Sequence, residues 1–516
     1  MDLIKDVIKL DSRNDFSKFQ TFLESEILVP DIKEDVFEII KTEGYISLKK
    51  EDVMEGKVIL RGDLNYNVIY LTQDKKVSNL NGKLEFNEVM EKDDISLDMK
   101  IILIGDIEHI DANIINERKI KLGCLINIRG SLFGRNKVDI IRDITGLDDV
   151  QTRRKDIYYE DIVGIERGES VVKEIINLGE NEDIEDVISL NPKVKIKETR
   201  LSDNKVILGG VLVLNPIVLS KEGSLIKLND VDIEFTQFIE VPGACEGMRE
   251  YAYVDLLDFK FNLIDDEGGK CNSLEIDATI KSKVKVSESI SREVLQDAYC
   301  PYRGLKLDEK YLTLNKLMDF GVEDFIINEN VQNDREDIEI KEILNVDAKV
   351  FITDNFIMEN KNTLEGIVHV DIIYIPVEGL RPVYMITEEI PFKHSVNLIN
   401  IDENMKPYTT VQLENIDYSL KKNEIEVKFK CKLSYEIIQN IQSKFIVNGE
   451  LQGDIDLSSK PSITIYIAKE GETLWDVAKR YNTSLEELAQ TNEIDKEEIL
   501  KEGQYLIIEK KVVTEI

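Results

Sequence analysis

The sequence predicts a mainly β fold: three tandem β-rich repeats of sandwich or barrel type, joined by helical connectors and followed by a small βααβ module. Three short blocks recur in one order at a step of about 150 residues. Segments such as Lys193-Val194-Lys195-Ile196-Lys197 and Lys283-Val284-Lys285-Val286 alternate with period two, which places one face on a core and the other in water. Near the end of the chain, helix-capping signals sit between two short apolar runs.

The first block reads Phe37 to Ile46, Val187 to Ile196 and Ile343 to Ile352. The second reads Arg61 to Tyr70, Gly209 to Val218 and Glu365 to Tyr374, each with a glycine at its head (Gly62, Gly210, Gly366). A glycine inside a strand-like run predicts a bulge or a close backbone approach. The third block is Leu84-Glu-Phe86, Ile233-Glu-Phe235 and Ile390-Pro-Phe392. Turn signals such as Ser202-Asp-Asn204 and Lys421-Lys-Asn423 separate the strands. Between repeats, Ser170 to Leu178 sets Val171, Val172, Ile175 and Ile176 on one helical face, and Leu307 to Phe320 is similar. These are read as connectors packed on a sheet edge, the alternative being amphipathic docking helices. The expected units are 1–145, 146–300 and 301–445 for the repeats, 446–460 for a linker and 461–511 for the final module.

Composition narrows the function. The formal charge of −35 disfavours nucleic acid and anionic membranes, which are bound through Lys and Arg, and is compatible with a basic or neutral protein partner. The five cysteines are scattered and form no C-x-x-C pair, so they read as reduced core thiols. Cys431 falls on the apolar phase of its segment. No hydrophobic leader or run of ~20 apolar residues is present, so the chain is expected on the cytosolic side of any membrane it meets, without a transmembrane segment.

Chemistry is expected to be absent. His109, His369 and His394 stand in unrelated settings, with no triad order, zinc motif or phosphate-binding loop around them. Asp266-Glu-Gly-Gly269 reads as a hairpin turn, and Asn333 to Glu339 as a solvated acidic connector. The reading is a non-enzyme with no cofactor and no metal; a cryptic hydrolase would need a deep polar pocket in a β domain.

The C-terminal run Tyr466-Ile-Ala-Lys-Glu-Gly471-Glu-Thr-Leu-Trp475-Asp-Val-Ala478, continuing through Leu485, Leu488, Asn492 and Gly503-Gln-Tyr-Leu506, resembles a LysM module. Thr473 is placed to cap a helix from Leu474 to Tyr481. Ser484, with Glu487 three residues on, is placed to form a capping box on a second helix. The resemblance implies a groove between Gly471–Leu474 and Asn492–Asp495. Gly471, Thr473 and Asn492 equally suit structural roles, and Trp475, the only tryptophan, suits packing or contact. The candidate partner-binding residues are Ile463, Gly471, Thr473, Leu474, Trp475, Asn492 and Ile494.

The repeats look like the SPOCS domain of spore-coat proteins. The second is the clearest, with Ile233-Glu-Phe235, Phe238-Ile-Glu-Val241-Pro242-Gly243-Ala244 and Leu274-Glu-Ile276. The first and third lack the Val-Pro-Gly. SPOCS repeats followed by one LysM are similar to the SipL-type spore-coat morphogenetic proteins of clostridia. That resemblance implies an adaptor in the mother-cell cytoplasm at the forespore surface. Its LysM would dock on the coat's basement-layer ATPase and its repeats on other coat proteins. The alternative is a peptidoglycan-binding cell-wall or cortex protein. Glu470, Glu472, Glu493 and Asp495 make the groove acidic, which pulls against an anionic glycan.

Overall fold

A computed structural model describes residues 1–179, 183–265, 270–333, 335, 337–456 and 461–509, without the side chains of 16–18. The glycine-rich stretch Asp266–Gly269 lies outside the described residues, as do 334 and 336 of the acidic run.

The first repeat comprises β1 (Asp2–Leu28), β2 (Val36–Met54), β3 (Lys57–Thr72), β4 (Val77–Glu91), β5 (Lys100–Asn116) and β6 (Lys119–Thr145). These form two three-stranded antiparallel sheets, ordered β1-β6-β5 and β2-β3-β4. The second repeat runs through β7 (Gln151–Asn177), β8 (Ile184–Ser189), β9 (Lys193–Ser202), β10 (Lys205–Leu214), β11 (Ile217–Ser220), β12 (Leu225–Lys227), β13 (Val231–Glu240), β14 (Arg249–Asp265) and β15 (Cys271–Tyr299). It repeats the topology, but its inner sheet is split into β9-β10-β13 and β8-β11-β12. Pro192 and Pro216 sit at the breaks, where a residue without an N–H cannot continue the ladder. The third repeat comprises β16 (Arg303–Gln332), β17 (Ile340–Met358), β18 (Lys361–Pro376), β19 (Tyr384–Asn397), β20 (Lys406–Lys421) and β21 (Glu424–Asp454), with sheets β16-β21-β20 and β17-β18-β19. β22 (Ile463–Ile467), α1 (Leu474–Tyr481), α2 (Leu485–Asn492) and β23 (Tyr505–Glu509) complete the chain.

The helical connectors are not there. Of Ser170 to Leu178, all but Leu178 form the end of strand β7, and Leu307 to Phe320 lies within β16. The run of valines and isoleucines satisfies a strand as well as a helix, and β-branched side chains favour the pleated surface. Pairing with β15 turns Val172 inward at 8% exposure and leaves Val171 and Ile175 outside. The expected linker at 446–460 is likewise, up to Asp454, the end of β21.

Among the described residues no sheet closes into a barrel. Each repeat is an open sandwich whose seam between the first strand and the strand carrying the third block is bridged by side chains. The bridging residue lies two positions after the block's phenylalanine in every repeat. Thr21 Oγ1 donates to Glu88 at 2.6 Å, Gln237 Nε2 donates to Ser170 Oγ at 2.7 Å, and His394 Nε2 lies 3.3 Å from Glu323.

The repeats are packed together rather than strung out. The first and last strands of each reach beyond its sandwich as a two-stranded ribbon, and the three ribbons share a core of Ile8, Ile140, Ile157, Val294, Leu314 and Phe445. Nearer the ribbon ends, Ile141, Leu295 and Ile446 are buried together. At the opposite pole Ile69, Ile217 and Ile373, the same position of the second block in each repeat, meet in another shared cluster. The result is a pseudo-threefold body. A cavity of about 80 Å³ is lined by residues of all three repeats, including Arg13, Glu160, Lys285 and Glu436.

Charge is buried between repeats. Lys283 and Lys285, expected to face water, are 1% and 8% exposed, and Lys281 beside them is 4% exposed. Glu51 receives Lys283 at 2.6 Å, Lys281 at 3.3 Å and Arg167 at 2.6 Å. Burial alone would raise the Glu51 carboxyl, but those three cations hold it below its ordinary value. Glu436 takes Lys285 at 3.2 Å and Arg13 at 3.7 Å. Asp347 takes Lys193 at 2.5 Å and Lys41 at 3.3 Å. Lys41 and Asp347 hold the same position of the first block, so divergence of that position created a pair that three identical copies could not make.

Candidate functional site

The C-terminal module is built on the β22–β23 hairpin, with Ile463 opposite Glu509, Ile465 opposite Ile507 and Ile467 opposite Tyr505. Alternation sends Leu506 and Ile508 into a core with Leu474, Trp475, Val477, Ala478 and Leu488. The other face carries Ile463, Ile465, Ile467, Tyr505 and Ile507, all between 44% and 70% exposed. Five large apolar groups side by side on one small sheet form a patch of the kind that marks interaction sites.

Thr473 caps α1. Its hydroxyl accepts from the Asp476 N–H at 3.4 Å, while the Asp476 carboxylate accepts from the Thr473 N–H at 3.0 Å. The capping box thus belongs to α1; Ser484 occupies the N-cap of α2 without a side-chain cap bond. Gly471 has φ of +78°, a left-handed turn with open space where a Cβ would stand. Asn492 ties α2 to β23, donating to the Leu488 and Ile507 carbonyls at 2.9 and 2.8 Å and accepting from the Ile507 N–H at 2.7 Å. Ile494 is half-buried against the module core.

Leu474 and Trp475 are 0% and 5% exposed, so neither side chain is presented to solvent. Trp475 also leaves its own module: its Nε1 donates to Asp297 of β15 at 2.9 Å, and its ring meets the edge of Tyr299 at a centroid distance of 5.0 Å. Of the expected residues, Ile463 and Gly471 lie on the surface, Thr473 and Asn492 hold local structure, and Leu474, Trp475 and Ile494 pack inward. Ile465, Ile467, Tyr505 and Ile507, outside the expected set, share the exposed face with Ile463, and the alternation of both runs was a signal for that face.

The first of the two loops expected to flank a groove, Gly471–Leu474, is tied to the segment before β23, Thr473 bridging to Ile499 and the Leu500 N–H donating to the Glu472 carbonyl at 3.0 Å. Burial would raise Glu472, but the Lys469 N–H, the Tyr466 hydroxyl and Arg480 outweigh it and bring it down to about 2. Its carboxylate is therefore committed within the module. Among the described residues no cluster of His, Cys, Asp or Glu could hold a metal ion. No described helix is long and apolar enough to cross a membrane.

The SipL, SPOCS domain family matches residues 35–115, 183–264 and 339–421, and the LysM domain family matches 466–509. The SPOCS matches fall on the inner strands of each repeat and leave out most of the long ribbons. No curated protein and no solved structure matches the chain. SPOCS and LysM domains are non-catalytic scaffolding modules, and their combination supports a scaffold or adaptor role in spore-coat assembly. The chain carries three SPOCS domains and a C-terminal LysM domain.

Proposed function

We propose that this chain is an adaptor of spore-coat assembly in the mother-cell cytoplasm at the forespore surface. Its LysM module docks onto the coat's basement-layer ATPase, and its SPOCS repeats engage other coat proteins. The observation that carries the reading is the exposed apolar face of the β22–β23 hairpin. A glycan is held by polar groups lining a groove, whereas a sheet face of isoleucines and a tyrosine suits a protein surface, with Tyr505 and its neighbours as anchors. Within the expected set the docking role narrows to Ile463 and Gly471, joined by Ile465, Ile467, Tyr505 and Ile507.

The full chain, immobilised, is to be measured against the purified ATPase and against purified peptidoglycan. Ile465→Arg should weaken ATPase binding by roughly tenfold or more, as loss of a central anchor does. The module should remain folded, because this side chain leaves its core untouched. Undiminished binding by the variant, or retention on peptidoglycan with no affinity for the ATPase, would contradict the reading.

A further inference from the structure

The three ribbons end in equivalent ways. Each last strand skips one residue of its ladder at the same point, between Ile4 and Lys5 of β1 opposite β6, between Leu295 and Asp297 of β15, and between Asp308 and Glu309 of β16 opposite β21. The residues just past these bulges are Asp143, Asp297 and Asn448. Asp143 pairs with Arg154 at 2.9 Å, and Asn448 donates to Asp308 at 3.2 Å, both within the repeat body. Asp297 instead faces the LysM module. Besides Trp475, it receives Lys479 Nζ at 2.7 and 2.8 Å on its two oxygens. Two residues on, Tyr299 is 4% exposed and part of the LysM core, and its hydroxyl donates to the Thr483 carbonyl between α1 and α2 at 2.9 Å.

The geometry points to Asp297 and Tyr299 as a built seat for the LysM module, chosen from three quasi-equivalent ribbon ends. Asp297 acts as its positioning residue. The carboxylate is 13% exposed and is shared by an indole N–H and an ammonium, so the contact is charge-assisted and largely shielded from solvent. Thr145 and Glu450, the counterparts of Tyr299, offer no aromatic edge to Trp475. The seat breaks the threefold symmetry of the body. It gives the hairpin face a single fixed direction, so that the LysM is not a module swinging free of the repeats.

Trp475 is the only tryptophan, so its fluorescence reports the seat directly in the full-length chain. Asp297→Ala and Lys479→Ala should each raise acrylamide quenching of Trp475 severalfold. The double variant should add little to either, since both remove one shared contact. Tyr299→Phe, which deletes only the hydroxyl, should raise quenching to a smaller degree. Lys479 lies on the module surface and its loss leaves both cores intact, so an effect of Lys479→Ala reports unseating rather than unfolding. Quenching unchanged in Asp297→Ala and Lys479→Ala, or fully additive effects, would overturn the seat. The readout involves no partner, so failure of the docking reading would leave it standing.

Discussion

At the scale of single residues, the recurring Gly and the recurring Phe are one device. Gly62 lies directly opposite Phe86, Gly210 opposite Phe235 and Gly366 opposite Phe392, and the ring covers the glycine each time. A Cβ on Gly62 would stand 2.6 Å from Phe86 Cζ, and one on Gly366 2.6 Å from Phe392 Cζ. On its other side each glycine faces a bulge, at Leu48/Lys50, at Gly209/Gly210 and at Ile352/Asp354. The close approach and the bulge expected from a glycine in a strand therefore both occur. Gly210→Ala should destabilise the body by about 1–3 kcal/mol, the usual cost of overpacking. The adjacent Gly209→Ala should be far milder, because its Cβ would meet only the flexible Glu198 side chain at 3.2 Å. Denaturant melts of the two variants check the difference.

At the scale of elements, propensity and context compete. The capping signal at Thr473 is local, needs only the residues around it, and is realised. Thr473→Ala should cost the LysM module about 1 kcal/mol, read as a lowered unfolding midpoint of the module while the repeats are unchanged. The connectors went the other way. Val171, Val172, Ile175 and Ile176 fit a helical face by spacing, but a long antiparallel partner was waiting in β15. A strand edge supplies a backbone bond for residue after residue, whereas a short helix there would have had one face to bury and costly ends to satisfy. Repeat two shows a smaller override, in which two prolines divide strands that run unbroken in the other repeats.

At the scale of the molecule, the shared cores argue against three independent beads. Separating the first repeat would expose Ile8, Ile140, Ile69 and Leu71 and strip Glu51 of its three cations. The three repeats should therefore unfold in one calorimetric transition, and three resolved transitions would refute this. Acid should weaken that unit. Glu51, Glu436 and Asp347 are all held below the ordinary carboxylate value because neighbouring cations outweigh the opposing effect of burial. For carboxyls lowered by folding, the stabilisation is present above the unfolded value of about 4 and is lost as pH falls through the lower folded values. The midpoint should thus drop steeply below pH about 4. Lys41→Met, which removes one partner of a buried pair, should lower it at neutral pH by roughly 3–5 kcal/mol of stability. That deficit should shrink in acid, where Asp347 no longer carries its charge.

What the sequence by itself determined is whatever depends on near neighbours. The repeat count and order, the strands of each block, the special glycines, the LysM module and the α1 cap all follow from local pattern and self-similarity. Tertiary structure decided the rest, because the deciding partners are distant in the chain. Lys283 reads as a solvated lysine until Glu51 is folded against it, and Ser170 to Leu178 reads as a helix until β15 lies alongside. Trp475 suits packing or contact in the sequence alone, and only the fold brings Asp297 and Tyr299 against it. Period and spacing tell which side chains share a face; only packing tells what that face meets.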